Sequence, residues 1–152
     1  MDAALSLAPA GARFTLLHVT SAEVPDAARG AYAGLFGRGY RAEEDPGTRL
    51  EQLAATSASD LLEAAAGRLG VGCERLEIQG RPERAVVAAS ADADLLVVAR
   101  DGDRTRLGLK SLGKITQFVV DHAACPVLLV WPESAPDVAT IPPPPHAARL
   151  VS

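Results

Sequence analysis

Apolar and polar residues alternate along the chain in blocks that predict strands and helices in turn. Residues 13–19 (RFTLLHV), 94–99 (DLLVVA) and 126–131 (PVLLVW) are apolar with little interruption, which is typical of strands covered on both faces of a sheet. Residues 73–79 (CERLEIQ) alternate, which predicts a strand with one wetter face. The pattern therefore predicts four strands.

Helical periodicity fills the intervals between these strands. Residues 48–69 give the strongest signal, with apolar side chains near a period of 3.6 and a stop at Gly70. The predicted buried stripe consists of Leu50, Leu53, Ala54, Leu61, Ala64, Ala65 and Leu69. Residues 82–91 predict a second helix, with Pro82 suited to its first turn.

Another helix is predicted at residues 112–123, directly before the last strand. Ser111 is its predicted N-cap, because a side-chain hydroxyl can accept a hydrogen bond from a free N–H of the first turn. Its predicted buried stripe is Leu112, Ile115, Val119 and Ala123.

The first third of the chain is less regular. Residues 2–8 predict a short helix, which Pro9 stops. Residues 20–47 are rich in glycine and proline, and we interpret them as a long excursion with one short helix at residues 27–35.

Strands that alternate with helices predict an α/β domain over residues 1–131. The expected architecture is an open parallel sheet with right-handed crossovers and helices on both faces. Ligands in such domains bind beyond the carboxyl ends of the strands, so the loops after Val19 and Ala99 are candidate binding loops.

Residues 132–152 form a tail of different composition. Prolines at 132, 136 and 142–145 block both helix and sheet, and the last run favours polyproline II. Two interpretations stay open: a solvated flexible tail, or a segment that docks on a partner.

Composition narrows the class of protein. Apolar residues make up 48% of the chain and charged residues 22%, which indicates a globular body. A net charge of −4 argues against general nucleic-acid binding. The chain shows no apolar run of about 20 residues and no signal-peptide pattern, so we expect a cytoplasmic protein without membrane contact.

Single chemistry-bearing residues offer little support for a metal or catalytic site. Cys73 and Cys125 are far apart and are expected to be small buried side chains rather than zinc ligands. His18 and His122 match no catalytic triad and are expected to be buried structural histidines. We therefore predict no metal site and no catalytic residue.

The segment from residue 100 to residue 114 concentrates positive charge. It contains five cationic side chains against Asp101 and Asp103, a local balance of +3 in an acidic chain. Directly before a helix N-terminus, such a loop can bind an anion. A mobile, solvated loop is the alternative interpretation.

Several of these segments resemble the universal stress protein family. The resemblance lies in LLHV at residues 16–19, in DLLVVA followed by RDG, and in the LG to HAACPVLLV passage at residues 112–130. It covers about residues 2–131 and implies a Rossmann-like, adenine nucleotide alpha hydrolase-like fold. It also implies ATP or AMP as a candidate ligand.

Nucleotide-binding members of this family carry Gly-x-x-Gly, nine residues, then Gly followed by Ser or Thr. The matching positions here are Ala99, Gly102, Gly113 and Lys114, with ten residues between the two glycines. One glycine is thus an alanine and the hydroxyl is a lysine. The resemblance implies a nucleotide- or anion-binding site formed by Val19, Thr20, Ala99, Arg100, Gly102, Gly113 and Lys114.

The family also opens with a central strand that this sequence lacks. We expect that the true start lies upstream or that the chain was cut. A third possibility is that residues 14–19 pair directly with residues 95–99, which would give a four-stranded sheet.

The resemblance implies a homodimer that pairs through its last strands. The candidate dimer edge consists of Val127, Leu128, Leu129, Val130 and Trp131. The predicted function is a non-enzymatic stress-response or regulatory module with weak or lost nucleotide binding. The alternative is an ATP- or AMP-binding member with slow ATP hydrolysis.

Overall fold

The computed structural model describes residues 1–21, 23–36 and 46–144. Their regular elements are, in order, α1 (Asp2–Leu7), β1 (Phe14–Thr20), α2 (Glu23–Phe36), α3 (Pro46–Leu69), β2 (Cys73–Gln79), α4 (Pro82–Ala89), β3 (Leu96–Ala99), α5 (Lys114–His122) and β4 (Val127–Val130). The chain divides into two compact units, Met1–Ala89 and Ser90–Ser152.

The first unit is built on the parallel pair of β1 and β2. Their register runs from Phe14 opposite Cys73 to Thr20 opposite Gln79. Helix α3 packs against both strands, α4 packs against β1, and α2 packs against α3. Because the strands are parallel, Thr20 and Gln79 end at the same edge, where the Gly80 N–H donates to the Thr20 carbonyl at 2.9 Å.

Helix α3 buries only part of the predicted stripe. Its buried apolar side chains are Ala58, Leu62 and Leu69. Leu53 and Leu61, both assigned to the predicted stripe, are 67% and 57% exposed. The period and the place of Leu69 were right, Ala54 and Ala65 are half-buried, and the assignment of Leu53 and Leu61 was wrong, because a 24-residue helix with leucines on several sides leaves the choice to its packing partners.

The second unit is built on the parallel pair of β3 and β4. Leu96 lies opposite Val127 and Ala99 opposite Val130, which confirms that these two apolar runs lie side by side in the same direction. Leu112 and Val119 are buried as predicted, but Ile115 is 43% exposed, so its place in the predicted stripe was wrong.

The described strands form two separate ladders, β1 with β2 and β3 with β4. The four-stranded alternative, in which residues 14–19 would pair with residues 95–99, stays a prediction. Which strands become neighbours depends on the crossover connections, and residue composition does not encode this choice.

Other predicted segments fall close to the observed elements. The short helix expected at residues 27–35 is part of the longer α2, and the glycines at 37 and 39 lie outside the described residues. Within the described part of the chain, no helix is long and apolar enough to cross a membrane.

Candidate functional site

Five of the seven predicted site residues belong to the second unit, and two belong to the first. Ala99 ends β3, and Arg100 and Gly102 begin the loop that leads to Gly113 and Lys114 at the start of α5. Val19 and Thr20 end β1 in the first unit.

An acidic side chain occupies the N-terminus of α5. Gly113 is the N-cap residue, and its N–H donates a hydrogen bond to Asp101 Oδ1 at 2.7 Å. This is the helix end whose free N–H groups and positive dipole attract anions. The loop thus supplies its own anion where the sequence predicted a phosphate.

The predicted N-cap role of Ser111 is wrong. Ser111 ends a single 3₁₀ turn, Leu109–Ser111, and is fully buried with 0% exposure. Its hydroxyl donates to the Gly108 carbonyl at 2.6 Å and accepts from Arg100. The two residues between this turn and α5 separate Ser111 from the first helical N–H groups, so Asp101 provides the contact instead.

Two predicted glycines are required by close packing around this loop. A Cβ at Gly113 would lie 2.7 to 2.8 Å from the carboxyl atoms of Asp101. A Cβ at Gly102 would lie 2.5 to 2.9 Å from backbone atoms of Lys110, Ser111 and Leu112. The space beside both glycines is thus filled by the protein itself.

Backbone hydrogen bonds close the base of the loop. The Gly102 N–H donates to the Ser111 carbonyl at 2.9 Å, and the Asp103 N–H donates to the Lys110 carbonyl at 2.7 Å. These two donors would otherwise be available to a phosphate, as in anion-binding glycine loops.

Arg100 is held inside the second unit. Its Nη1 donates to Ser111 Oγ at 2.5 Å, and its guanidinium carbon lies 4.7 Å from the centroid of the Trp131 ring. Its Nε is buried and has no hydrogen-bond partner. A stacked and partly desolvated guanidinium of this kind is held in place by contacts within the protein.

Other charges of the loop are also compensated locally. Arg106 pairs with Asp103 at 3.0 Å, and Arg104 lies 3.9 Å from Glu133. Asp103 also accepts hydrogen bonds from Thr105, through its hydroxyl and then its N–H, and these lower the pKa of the carboxyl, with a smaller contribution from Arg106. The local balance of +3 already counts Asp103, and Glu133, which lies outside residues 100–114, adds one further negative charge beside Arg104.

Lys114 lies on a shallow groove along α5. The groove has a volume of about 440 Å³ and is lined by Lys114, Gln117, Phe118, Asp121 and His122. The ring of His122 stacks on that of Phe118 with centroids 4.0 Å apart, and its Nδ1 lies 2.9 Å from the Phe118 carbonyl. The side chain of His122 is 49% exposed, so the prediction that it is buried was wrong.

Thr20 lies on a small acidic pocket of the first unit. The pocket has a volume of about 180 Å³ and is lined by Thr20, Glu51, Ala55, Glu77 and Gln79. The Thr20 hydroxyl donates to Glu77 Oε1 at 3.4 Å. This volume is below the range of roughly 300–1,000 Å³ that is usual for ligand pockets, and the carboxylates disfavour a phosphate group.

Three residues that shape the loop were not assigned to the site from the sequence. Asp101 entered only as a negative charge, Ser111 as a cap, and Trp131 as part of a dimer edge. An acidic residue directly after the strand, before the glycine turn, was the available signal for Asp101.

Metal-site geometry is not found in the described part of the chain. Among residues 1–21, 23–36 and 46–144, no cluster of three or more His, Cys, Asp or Glu side chains could hold a metal ion. Cys73 and Cys125 are free and half-buried.

Comparison with known proteins identifies the fold and the family. The chain matches the universal stress protein family over residues 1–130. No curated protein matches it.

A similar solved structure is that of hypothetical protein MJ0577, described as a structural-genomics test case for assigning biochemical function from structure. It is 20% identical with a TM-score of 0.64, and the match covers 88% of this chain and 86% of that one. The parallel strands with helices agree with the adenine nucleotide alpha hydrolase-like fold of that relative. This chain belongs to the universal stress protein family.

Proposed function

We propose that the protein is a non-enzymatic stress-response or regulatory module whose nucleotide site is weak or lost. The observation that carries this proposal is the hydrogen bond from the Gly113 N–H to Asp101. A ligand phosphate would have to displace this carboxylate or share the end of α5 with it.

Charge repulsion disfavours a phosphate and the Asp101 carboxylate at the same helix end. Two unit charges of the same sign about 4 Å apart repel by roughly 4 kcal/mol at an effective dielectric constant near 20. Because the Asp101 contact is exposed, water lowers this repulsion toward about 1 kcal/mol, so the expected weakening of binding lies between about fivefold and a thousandfold. The loop cations offset only part of it, because Arg106 is paired with Asp103 and the guanidinium of Arg100 is held by Ser111 and Trp131.

ATP hydrolysis is the alternative function, and it requires that the loop also hold a metal ion with the triphosphate. A triphosphate is normally held with Mg²⁺, which prefers carboxylate oxygens and water as ligands. The two carboxylates of the loop, Asp101 and Asp103, already accept hydrogen bonds from Gly113 and Thr105. These contacts favour a module without hydrolysis.

Isothermal titration with ATP tests the proposal. We expect little or no heat for the wild-type chain and measurable binding for Asp101→Asn, which keeps an acceptor oxygen near Gly113 and removes the charge. Asp121→Asn is the matched control, because Asp121 is an exposed carboxylate in the last turn of α5. Tight ATP binding by the wild type, followed by phosphate release, would establish the alternative instead.

We also propose that the protein is a cytoplasmic homodimer joined through the outer edge of β4. The N–H groups of Leu96 and Arg100 donate to the carbonyls of Pro126 and Val130, so these positions of the last strand face β3. Alternation along a strand then directs the backbone groups of Val127 and Leu129 to the opposite edge. An apolar edge of this kind is protected by pairing with a second copy.

Light scattering after size exclusion tests the dimer. The wild-type chain should give twice the mass of 15.8 kDa. Leu129→Pro removes an outward N–H and leaves the hydrogen bonds between β3 and β4 in place, so it should give monomers with an unchanged circular dichroism spectrum. A wild-type monomer at all concentrations tested would overturn this proposal.

A further inference from the structure

Residues 132–140, here called the strap, follow β4 and lie outside the family match, which ends at residue 130. The strap returns to the loop between β3 and α5. The Leu107 N–H donates a partly buried hydrogen bond to Thr140 Oγ1 at 3.1 Å, across 33 residues of sequence. This contact binds the end of the strap to the outer part of the loop.

The strap is organised to present that hydroxyl. Asp137 accepts the Ala139 N–H on Oδ1 at 2.7 Å and caps the 3₁₀ turn Val138–Thr140. The Asp137 carbonyl accepts both the Thr140 N–H at 2.9 Å and the Thr140 hydroxyl at 2.6 Å. Because its proton is committed to Asp137, the Thr140 oxygen is free to accept from Leu107.

A second contact joins the start of the strap to the same loop. Glu133 lies 3.9 Å from Arg104, with side chains 82% and 51% exposed. An exposed pair at this distance contributes little stability by itself. Glu133 lies at the start of the strap and Thr140 at its end. The strap therefore contacts the loop at two positions, Arg104 and Leu107.

The loop that receives the strap is the one that carries Asp101. Its base is closed by the backbone hydrogen bonds of Gly102 with Ser111 and of Asp103 with Lys110. The strap closes its outer part, between Arg104 and Leu107. Opening of the loop therefore requires release of Thr140 as well as of the base.

We propose that the strap is an intramolecular latch that keeps this loop closed and so keeps Asp101 on the N-terminus of α5. The inference rests on the proposed function, in which that helix end is occupied by the protein's own carboxylate. Release of the strap removes the restraint on the outer part of the loop, so that opening of the base then gives anions such as inorganic triphosphate access to the Gly113 N–H. The strap is thus a regulatory element of the site at the N-terminus of α5.

Amide hydrogen exchange on the full chain, read by NMR, tests the latch directly. Thr140→Val removes the acceptor with little change of shape, and we expect exchange of the Leu107 amide to accelerate about five- to tenfold, the effect of losing one hydrogen bond. Thr140→Ser keeps the hydroxyl and should leave this rate within about twofold of the wild type, since one methyl group is the only loss. Equal protection of Leu107 in wild type and Thr140→Val would overturn the latch.

A second measurement tests the coupling to the helix end. Inorganic triphosphate is titrated into Asp101→Asn and into Asp101→Asn combined with Thr140→Val. The latch predicts several-fold tighter binding in the double variant, and equal affinities would overturn it. If Thr140→Val does not fold, Asp137→Ala removes the cap of the turn and gives the same two readouts.

The two proposals fail in different ways. Tight ATP binding by the wild-type chain would overturn the proposed function, whatever the exchange rate of Leu107. Unchanged Leu107 exchange in Thr140→Val would overturn the latch, even where the wild type binds no ATP.

Discussion

Asp101 Oδ1 and the backbone nitrogen of Gly113 lie 2.7 Å apart, although 12 residues separate them in sequence. This contact stabilises the start of α5, because a carboxylate there accepts a hydrogen bond from a free N–H and complements the helix dipole. In the proposed function, the same carboxylate competes with a ligand anion for this helix end.

Gly113→Ala should destabilise the protein by about 1–2 kcal/mol, the usual effect of losing an N-terminal cap. The added methyl would lie within 2.8 Å of the Asp101 carboxyl atoms and force them away. Chemical denaturation measures the change. Gly67→Ala is the matched control, because a Cβ there meets nothing within 4 Å, and it should be neutral or stabilising by about 0.5–1 kcal/mol.

A double-mutant cycle assigns the effect of Gly113→Ala to Asp101. In an Asp101→Ala background the methyl has no carboxylate to displace, so Gly113→Ala should cost less than about 0.5 kcal/mol there. An equal cost in both backgrounds would show that another neighbour is responsible.

Gly102→Ala should cost about 3 kcal/mol or more, because its Cβ would meet backbone atoms that cannot rotate away. We expect faster exchange of the Gly102 and Asp103 amides, whose hydrogen bonds close the base of the loop. Gly72→Ala, with open space around the added Cβ, should leave these amides unchanged. Wild-type stability and exchange in Gly102→Ala would contradict the packing described here.

Ser111→Ala should destabilise the protein by about 1–3 kcal/mol, because it leaves Nη1 of Arg100 without its buried acceptor. Trp131 is the one tryptophan of the chain, so its fluorescence reports the stacked guanidinium specifically. We expect a changed emission in Ser111→Ala. Ser57→Ala, on the exposed side of α3, should alter neither emission nor stability by more than about 0.5 kcal/mol.

Asp103 should titrate below the ordinary carboxyl value of 3.8, because the Thr105 hydroxyl and N–H donate to its charged form. A folded-state pKa below the unfolded one gives a stability contribution that is present above about pH 4 and lost as the pH falls through the folded pKa. Carboxyl ¹³C chemical shifts measured against pH give the midpoint.

Two variants identify the cause of the Asp103 shift. Thr105→Val should raise the midpoint most, and Arg106→Gln should raise it less, in the order of their contributions to the pKa. Thr105→Ser keeps the hydroxyl and should stay near the wild-type midpoint. A midpoint at or above 3.8 in the wild type would contradict the hydrogen bonds from Thr105.

The sequence by itself determined the elements and the family. Periods of 2 and 3.6 residues involve only residues that are close together in the sequence. These periods predicted β2 at Cys73–Gln79 and the end of α3 at Leu69. The LG to HAACPVLLV passage carried the family resemblance that the match over residues 1–130 confirms. The parallel pairing of β3 with β4 followed from the order of strand, helix and strand.

Only the tertiary structure decided which face of α3 is buried and what occupies the start of α5. Leu53 and Ala58 are equally compatible with a helical period, and packing buries only Ala58. Asp101 reaches Gly113 across 12 residues, and Thr140 reaches Leu107 across 33. Contacts of this kind depend on how loops close in three dimensions, so a local pattern can mark Asp101 as a candidate but does not give its partner.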